Sequence, residues 1–162
     1  GWVNAGDRIG YVGFTGRTSG EHLHFSLNSG KYYPGWEYFW GDINLFSNGY
    51  LVKGPDSLFY WSTDDWYSPI IYAGSIRLPL EGSYIIMTQT EHQGTAIDLA
   101  SFSKNTAVNM LNYKNIGAPV YAVISGYLSK GTESQNGGKY AKIKHYDNNG
   151  KLTMVAIYLH LK

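Results

Sequence analysis

The stretch Ala5–Phe25, AGDRIGYVGFTGRTSGEHLHF, contains the pattern on which the fold depends. Its first strand-like run, Arg8–Phe14, is separated by a Thr-Gly turn signal from a second run, His22–Leu27. Successive side chains of a strand point to opposite faces, so His22 and His24 share one face of the second run. The stretch therefore predicts two short β-strands, the second of which presents two imidazoles side by side.

Short strand-like runs bounded by glycine, asparagine and aspartate continue along the chain. The turn signal Asn148-Asn149-Gly150 lies between two of them and predicts a β-hairpin. The best candidate for a helix, Thr106–Tyr113, is short. The sequence thus predicts a mainly β fold with few short helices. The further strand-like runs are Ser83–Thr88, Ala118–Ser125, Tyr140–His145 and Leu152–Leu161.

Composition excludes several classes of function. The 162 residues carry 13 Lys and Arg against 12 Asp and Glu, a balance that argues against nucleic-acid binding by phosphate neutralisation. No apolar run reaches the roughly 18 residues that a membrane span needs. The absence of cysteine rules out a thiol nucleophile, a thiolate metal site and a disulfide framework. An aromatic content of 16% also excludes a disordered chain.

Composition changes within residues 31–74. The part between Lys31 and Tyr72 holds 14 of the 26 aromatic residues and no histidine. One interpretation is a packed subdomain or a wrapping extension. The other is an aromatic platform for sugar rings or an extended peptide. Both use the large amphipathic contact area of aromatic side chains, so the sequence does not choose between them.

A second set of candidate ligands is formed by His92 and Asp98, with five residues between them. Imidazole and carboxylate are the zinc ligands left to a chain without cysteine, and a catalytic zinc takes three protein ligands and one water. The ordinary alternative is that Asp98 caps a turn and His92 lies in a surface loop. The H-x-H pair is likewise a weak indication by itself, although two adjacent imidazoles are costly to bury unless they share a metal or a proton.

Two further histidines follow in the last strand-like runs. In the sequence Tyr158-Leu159-His160-Leu161, strand alternation predicts Tyr158 and His160 on one face and the two leucines on the other. His145 precedes a turn, and its simplest interpretation is an exposed or hydrogen-bonding side chain.

Taken together, these motifs resemble the lysostaphin family of zinc endopeptidases, also called LytM-type peptidases. The stretch Ala5–Phe25 is similar to the C-terminal signature of that family, and His92–Ala100 (HQGTAIDLA) is similar to its first metal motif. Asn115–Leu128 is similar to a family strand pair, and Ile157–Leu161 is similar to the strand that carries a family histidine. One spacing departs from the family's commonest pattern, because His and Asp are there separated by three residues instead of five.

The motifs also stand in a different order from that of the family. The family order is restored by reading Ser75–Lys162 and then Gly1–Ser29. The chain therefore resembles a circular permutant, with residues 75–162 plus 1–30 as the peptidase domain and residues 31–74 as a connecting or accessory segment. A second explanation is that the sequence joins parts of two tandem modules, whose copies complete each other's sites as in a swapped dimer.

The resemblance implies an antiparallel β-sheet with a groove over it, as in the duplicated-hybrid-motif fold. It implies one zinc ion held by His24, His92 and Asp98. It further implies that zinc-bound water attacks a peptide carbonyl while His22 and His160 handle the proton, with their individual roles left open.

The function that the resemblance implies is a zinc metalloendopeptidase that hydrolyses the stem peptides or cross-bridges of bacterial peptidoglycan, Gly-Gly bonds among them. Such an enzyme would be secreted, periplasmic or associated with the cell wall. The alternative is a catalytically silent cell-wall-binding or activator module of the same fold.

Overall fold

A computed structural model describes residues 1–31, 39–53, 68–73, 76–81, 84–105, 110–113 and 117–162. Within these ranges the chain forms β-strands and no helix, which confirms the mainly β prediction but not the expected short helices. The strands are β1 Trp2–Val3, β2 Arg8–Tyr11, β3 Leu23–Asn28, β4 Leu51–Lys53, β5 Ser68–Ala73, β6 Tyr84–His92, β7 Ala96–Asn105, β8 Met110–Tyr113, β9 Pro119–Tyr121, β10 Gly126–Glu133, β11 Gly138–Tyr146 and β12 Leu152–Leu161.

The helix predicted for Thr106–Tyr113 is wrong where the structure describes it. Met110–Tyr113 is strand β8, which pairs antiparallel with β7, while residues 106–109 lie outside the described ranges. Pairing with β7 satisfies the backbone hydrogen bonds of this segment, and such tertiary pairing overrides a weak local helix preference. None of the described segments contains a helix that is long and apolar enough to span a membrane.

Ten strands form one antiparallel sheet in the order β1-β10-β11-β12-β3-β7-β6-β5-β4, with β8 also paired to β7. Strands β2 and β9 form a small second sheet. The predicted hairpin is present, because β11 and β12 pair across the turn after Tyr146. In that turn the carboxylate of Asp147 accepts hydrogen bonds from the backbone N–H groups of Asn149 and Lys151, each at 2.9 Å.

The two faces of the large sheet differ in what they carry. On one face Phe25 pairs with Ile97 and Tyr158, and all three belong to the main hydrophobic core. On the other face His24 lies opposite Asp98 on β7 and opposite Leu159 on β12. All six residues of β3 are buried, so the middle of the sheet is covered on both sides.

Only a part of residues 31–74 contacts the face that carries His24, whereas Leu45, Leu51 and Ile70 belong to the main core. Residues 39–43, called the crossing segment below, run from β11 to the β6–β7 turn. The ring of Phe39 contacts that of Tyr140 at 5.0 Å, and the N–H of Thr95 donates to the carbonyl of Gly41 at 3.1 Å. The N–H of Asp42 donates to the carbonyl of Leu27 at 3.2 Å. Strands β4 and β5 extend the sheet beyond β6.

The aromatic residues of the same segment are described only in part. Trp40 lies in the crossing segment, whereas Trp36, Trp61 and Trp66 lie outside the described ranges. The two interpretations of this segment, a packed subdomain or wrapping extension and an aromatic platform, fall mostly on residues outside the described ranges.

The fold predicts a specific cost for removing one buried hydroxyl. The oxygen of Tyr158, a residue with 0% exposure, accepts a hydrogen bond from the N–H of Val123 at 2.8 Å. Tyr158→Phe leaves that buried N–H unpaired, so we expect a loss of about 1–3 kcal/mol in the free energy of unfolding, measured with urea. Tyr127→Phe, at a side chain that is 57% exposed, should change the free energy of unfolding by less than about 0.5 kcal/mol. Equal effects would contradict the prediction.

Candidate metal centre

Three side-chain atoms converge on the face of the sheet that carries His24. Nδ1 of His24 lies 3.1 Å from Oδ1 of Asp98 and 3.1 Å from Nε2 of His92, and the third edge, from His92 to Asp98, is 3.3 Å. Zinc bonds of about 2.0–2.1 Å at tetrahedral angles place two ligand atoms about 3.3 Å apart. The triangle therefore has the size that a tetrahedral metal needs, and the three residues could hold a metal ion.

A hydrogen bond beside this triangle turns a lone pair of His92 into it. Nδ1 of His92 donates to the carbonyl of Thr90 at 2.8 Å, so the neutral imidazole turns the lone pair of Nε2 inward. The carboxylate of Asp98 can only accept. The edges to Asp98 and to His92 meet at Nδ1 of His24, and one proton on that atom can lie along only one of them. A cation at the centre of the triangle would be attracted to all three atoms. A backbone carbonyl that fixes the imidazole tautomer is the usual support of a histidine metal ligand.

Adjacent strands place the three residues. His24 and Asp98 are direct partners in the pairing of β3 with β7, and His92 ends β6 opposite Ala96. The five-residue spacing between His92 and Asp98 is accommodated by the turn at 93–95 and two residues of β7. A Cβ at Gly94 in that turn would clash with the carbonyl of Gly41 and with the indole of Trp40, so only glycine allows the crossing segment to pack here.

Two more histidines border the triangle. Nε2 of His22 lies 3.3 Å from Oδ2 of Asp98, and the rings of His22 and His160 are 4.8 Å apart. Nδ1 of His22 donates to the carbonyl of Gly20, and Nδ1 of His160 donates to that of Thr15, each at 2.8 Å.

One chain thus brings together all five residues that the sequence singled out, so a second copy is not required to assemble the cluster. They are His22, His24, His92, Asp98 and His160. His145 lies outside it and donates from Nδ1 to the carbonyl of Ser125, as its simplest interpretation suggested.

The predicted alternation in the last strand is wrong at His160. Tyr158 and Leu161 both lie in the main core, and Leu159 packs in a smaller cluster on the opposite face. A register shift between β11 and β12 inserts an extra residue there, and His160 has a φ of +62°. Such a β-bulge turns a side chain away from the face that alternation assigns to it. The imidazole of His160 thereby reaches the site while Tyr158 stays in the core.

The pKa values of the site residues depend on burial and on the carboxylate of Asp98, which several histidines share. Burial alone would raise the pKa of Asp98, but hydrogen bonds with His24 and His92 outweigh burial and hold that pKa far below its usual range. Burial lowers the pKa of His24 despite the opposing effect of Asp98. For His92 the contacts with Asp98 outweigh burial and raise the pKa. Burial lowers the pKa of His160 to about 4, so its imidazole is neutral near pH 7.

Sequence reasoning did not anticipate the backbone groups that orient the imidazoles. The carbonyls of Thr15, Gly20 and Thr90 each accept a hydrogen bond from an Nδ1 atom. In His22 and His92 this turns Nε2 toward Asp98, at 3.3 Å in each case. Gly20 and Thr90 lie two residues from the histidines that they orient, but side-chain identity carries no signal for a carbonyl direction. Thr15 is 145 residues away from its histidine.

No family model, no curated protein and no solved structure matches this chain. The class of the site is therefore defined by its own residues. It is a cluster of two imidazoles and a carboxylate that could hold a metal ion, bordered by two further imidazoles.

The geometry predicts binding of one metal ion, for which zinc serves as the probe. After dialysis against zinc and removal of free metal, elemental analysis should find about one zinc per chain, in keeping with a single three-ligand site. His24→Ala and Asp98→Asn should each remove most of it, because two ligands hold zinc poorly. His145→Ala is the matched control and should keep the full amount. Retention of zinc by His24→Ala would contradict this ligand set.

The position of His160 predicts how stability depends on pH in metal-free protein. In the unfolded chain His160 takes up a proton below its ordinary pKa of 6.5, whereas the folded state resists protonation down to about 4. Its stabilising contribution is therefore complete above pH 6.5 and is lost as the pH falls from 6.5 to about 4. The raised pKa of His92 acts in the opposite direction over part of this range.

Comparison with His160→Asn isolates the contribution of His160, because asparagine tolerates positive φ better than most residues. We expect urea unfolding free energies of the variant to fall less steeply than those of the wild type between pH 6.5 and 4, with His92 unchanged in both proteins. Equal slopes would contradict the burial of a neutral His160.

Proposed function

We propose that this chain is a zinc metalloendopeptidase that hydrolyses peptide bonds of bacterial peptidoglycan. The observation that carries the proposal is the triangle of His24, His92 and Asp98, with edges of 3.1–3.3 Å, beside two further imidazoles. A structural zinc site is closed by four protein ligands, whereas three ligands leave a position for water, as in catalytic sites. Proton-transferring imidazoles next to such a position fit a hydrolase.

His24, His92 and Asp98 are the residues that would hold zinc, through Nδ1, Nε2 and Oδ1 respectively. Bound zinc would lower the pKa of a coordinated water and polarise a carbonyl oxygen. When His24 and His92 are neutral and Asp98 is ionised, the three ligands carry a net charge of −1. This charge attracts a divalent cation.

His160 is suited to accept a proton. Its Nδ1 is occupied as a donor to Thr15, and its pKa is lowered to about 4 by burial, so Nε2 carries a free lone pair near pH 7. A neutral imidazole is the form in which histidine acts as a general base. A nearby divalent cation would favour the same neutral form.

His22 is suited to donate a proton. Nδ1 lies 2.8 Å from the carbonyl of Gly20, which can only accept, and Nε2 lies 3.3 Å from Oδ2 of Asp98. A hydrogen on Nε2 would therefore lie between His22 and Asp98, at the edge of the triangle. We assign to His22 the delivery of a proton to the leaving amine, and to His160 the removal of one from the attacking water.

The immediate surroundings leave the site open on one side. The side chains of His92 and His22 are 23% and 16% exposed, against 3% for His24 and 8% for Asp98. The crossing segment packs against Gly94 beside His92, and residues 13–22 contact His160 and lead into His22. An extended substrate lying between these two segments would reach the exposed edges of His22 and His92.

Support for peptidoglycan as the substrate comes from the sequence resemblance, which extends beyond the ligands to the Gly-rich stretch before them. The family cleaves stem peptides or cross-bridges of the bacterial cell wall, Gly-Gly bonds among them, and a secreted, periplasmic or wall-associated location goes with that substrate.

The test is release of new amino groups from purified peptidoglycan of several bacterial wall types. Release should stop on chelation and return with added zinc, and identification of the new termini names the bond. No release by folded, zinc-loaded protein would contradict the proposal and favour the silent binding or activator module.

In the same assay, variants of His160 and His22 separate proton transfer from zinc binding. His160→Asn and His22→Asn should lower kcat by about 10²–10⁴-fold while each still binds one zinc, because proton transfer is lost and the ligands remain. His145→Ala should retain full activity. Loss of zinc in the His160 or His22 variants would show that the roles are wrongly assigned.

A further inference from the structure

The backbone of His160 is held in a conformation that is uncommon for histidine. Its φ of +62° lies in the left-handed region, which non-glycine residues seldom occupy. Such a conformation is strained for a non-glycine residue and persists only where the surrounding structure enforces it. The contacts that enforce it therefore also determine where the imidazole points.

Two loops supply those contacts. The N–H of His160 donates to the carbonyl of Gly137 at 3.0 Å, and its own carbonyl accepts from the N–H of Gly13 at 3.0 Å. The imidazole donates from Nδ1 to the carbonyl of Thr15 at 2.8 Å. Backbone and ring are thus fixed between the β10–β11 turn and the loop that follows β2.

The two loops are also joined to each other. The hydroxyl of Thr15 accepts from the N–H of Lys139 at 2.9 Å and donates to the carbonyl of Leu161 at 2.7 Å. The N–H of Arg17 donates to the carbonyl of Asn136 at 2.8 Å. A Cβ at Gly138 would clash with the backbone of Thr15, so the close approach of the loops requires glycine there.

A single carboxylate organises the β10–β11 turn. Glu133 accepts hydrogen bonds from the backbone N–H groups of Asn136 and Gly137, each at 2.6 Å, and from that of Gln135 at 2.9 Å. The bonds from Gly137 and Asn136, followed by that from Gln135, lower the pKa of Glu133, so its carboxylate is ionised at neutral pH. Gly137 is bonded to Glu133 through its N–H and to His160 through its carbonyl.

We propose that Glu133 is a positioning residue for His160, acting through the Gly137 peptide and the Thr15 loop. Its carboxylate fixes the turn whose carbonyl holds the His160 backbone in the left-handed conformation. The ring then keeps its Nδ1 bond to Thr15 and its contact with the ring of His22. The consequence for catalysis rests on the proposed function, whereas the effect on the imidazole does not.

A neighbouring turn provides a matched control. Asp147 accepts backbone N–H bonds at 2.9 Å in the β11–β12 turn, as Glu133 does in the β10–β11 turn, but its turn makes no bond to His160. Glu133→Gln and Asp147→Asn each replace a turn carboxylate by an amide of the same size. Any effect on His160 that appears in only one of them therefore reports positioning and not general turn stability.

The first measurement needs no substrate. Nitrogen-15 NMR of the histidine side chains in metal-free protein follows the Nδ1 proton of His160, assigned by its absence in His160→Asn. Its exchange with water should be about tenfold faster or more in Glu133→Gln, because the ring opens more often from Thr15, and should stay within about twofold in Asp147→Asn. Equal exchange in the two variants overturns the proposal.

The second measurement is kinetic. In Glu133→Gln kcat for amino-group release should fall about 10- to 100-fold, the range found when supporting residues of a metal site are replaced, while KM and zinc content stay near wild type. Asp147→Asn should keep kcat. A kcat of Glu133→Gln equal to that of Asp147→Asn overturns the proposal as a statement about catalysis.

The two measurements distinguish a failure of the proposed function from a failure of the positioning role of Glu133. A wild-type protein that releases no amino groups, but whose His160 proton depends on Glu133, overturns the proposed function and leaves the positioning role intact. If Glu133→Gln does not fold, Glu133→Asp keeps the charge and shortens the reach by one methylene, and the same NMR comparison with Asp147→Asn decides the outcome.

Discussion

The buried carboxylate of Asp98 is the group around which the site is arranged. Oδ1 lies 3.1 Å from His24 and 3.3 Å from His92, and Oδ2 lies 3.3 Å from His22. A buried carboxylate is costly unless it is paired, and these three imidazoles supply that pairing. The anion itself is fixed because Asp98 lies within β7, between β3 and β6.

The candidate ligands and the two flanking histidines are held by different kinds of structure. His24 and Asp98 are direct partners in the pairing of β3 with β7, and all residues of β3 are buried. His160 occupies a bulge, and His22 follows a loop whose carbonyls bond to both flanking rings. Pairing between strands fixes the positions of His24 and Asp98, whereas a bulge aims the one side chain of His160.

Much of the site could be predicted from particular residues. The period of two in the strand-like run His22–Leu27 predicted that His22 and His24 share a face, although β3 begins only at Leu23. In a chain without cysteine, His92 and Asp98 are the remaining types of zinc ligand. The same period failed at His160, because a bulge inserts a residue that no local sequence signal marks. The helix expected at Thr106–Tyr113 failed for a related reason, since Met110–Tyr113 takes its hydrogen bonds from β7.

The sequence by itself determined which side chains could bind a metal or carry a proton. It also determined that the chain is mainly β and that β11 and β12 form a hairpin. Only the tertiary structure decided which ring nitrogen faces the site, how His160 leaves the core face, and that residues 39–43 pack beside the His92 turn. Residue types and alternation are local properties. The direction of an imidazole depends on backbone carbonyls, and the one that orients His160 lies 145 residues away.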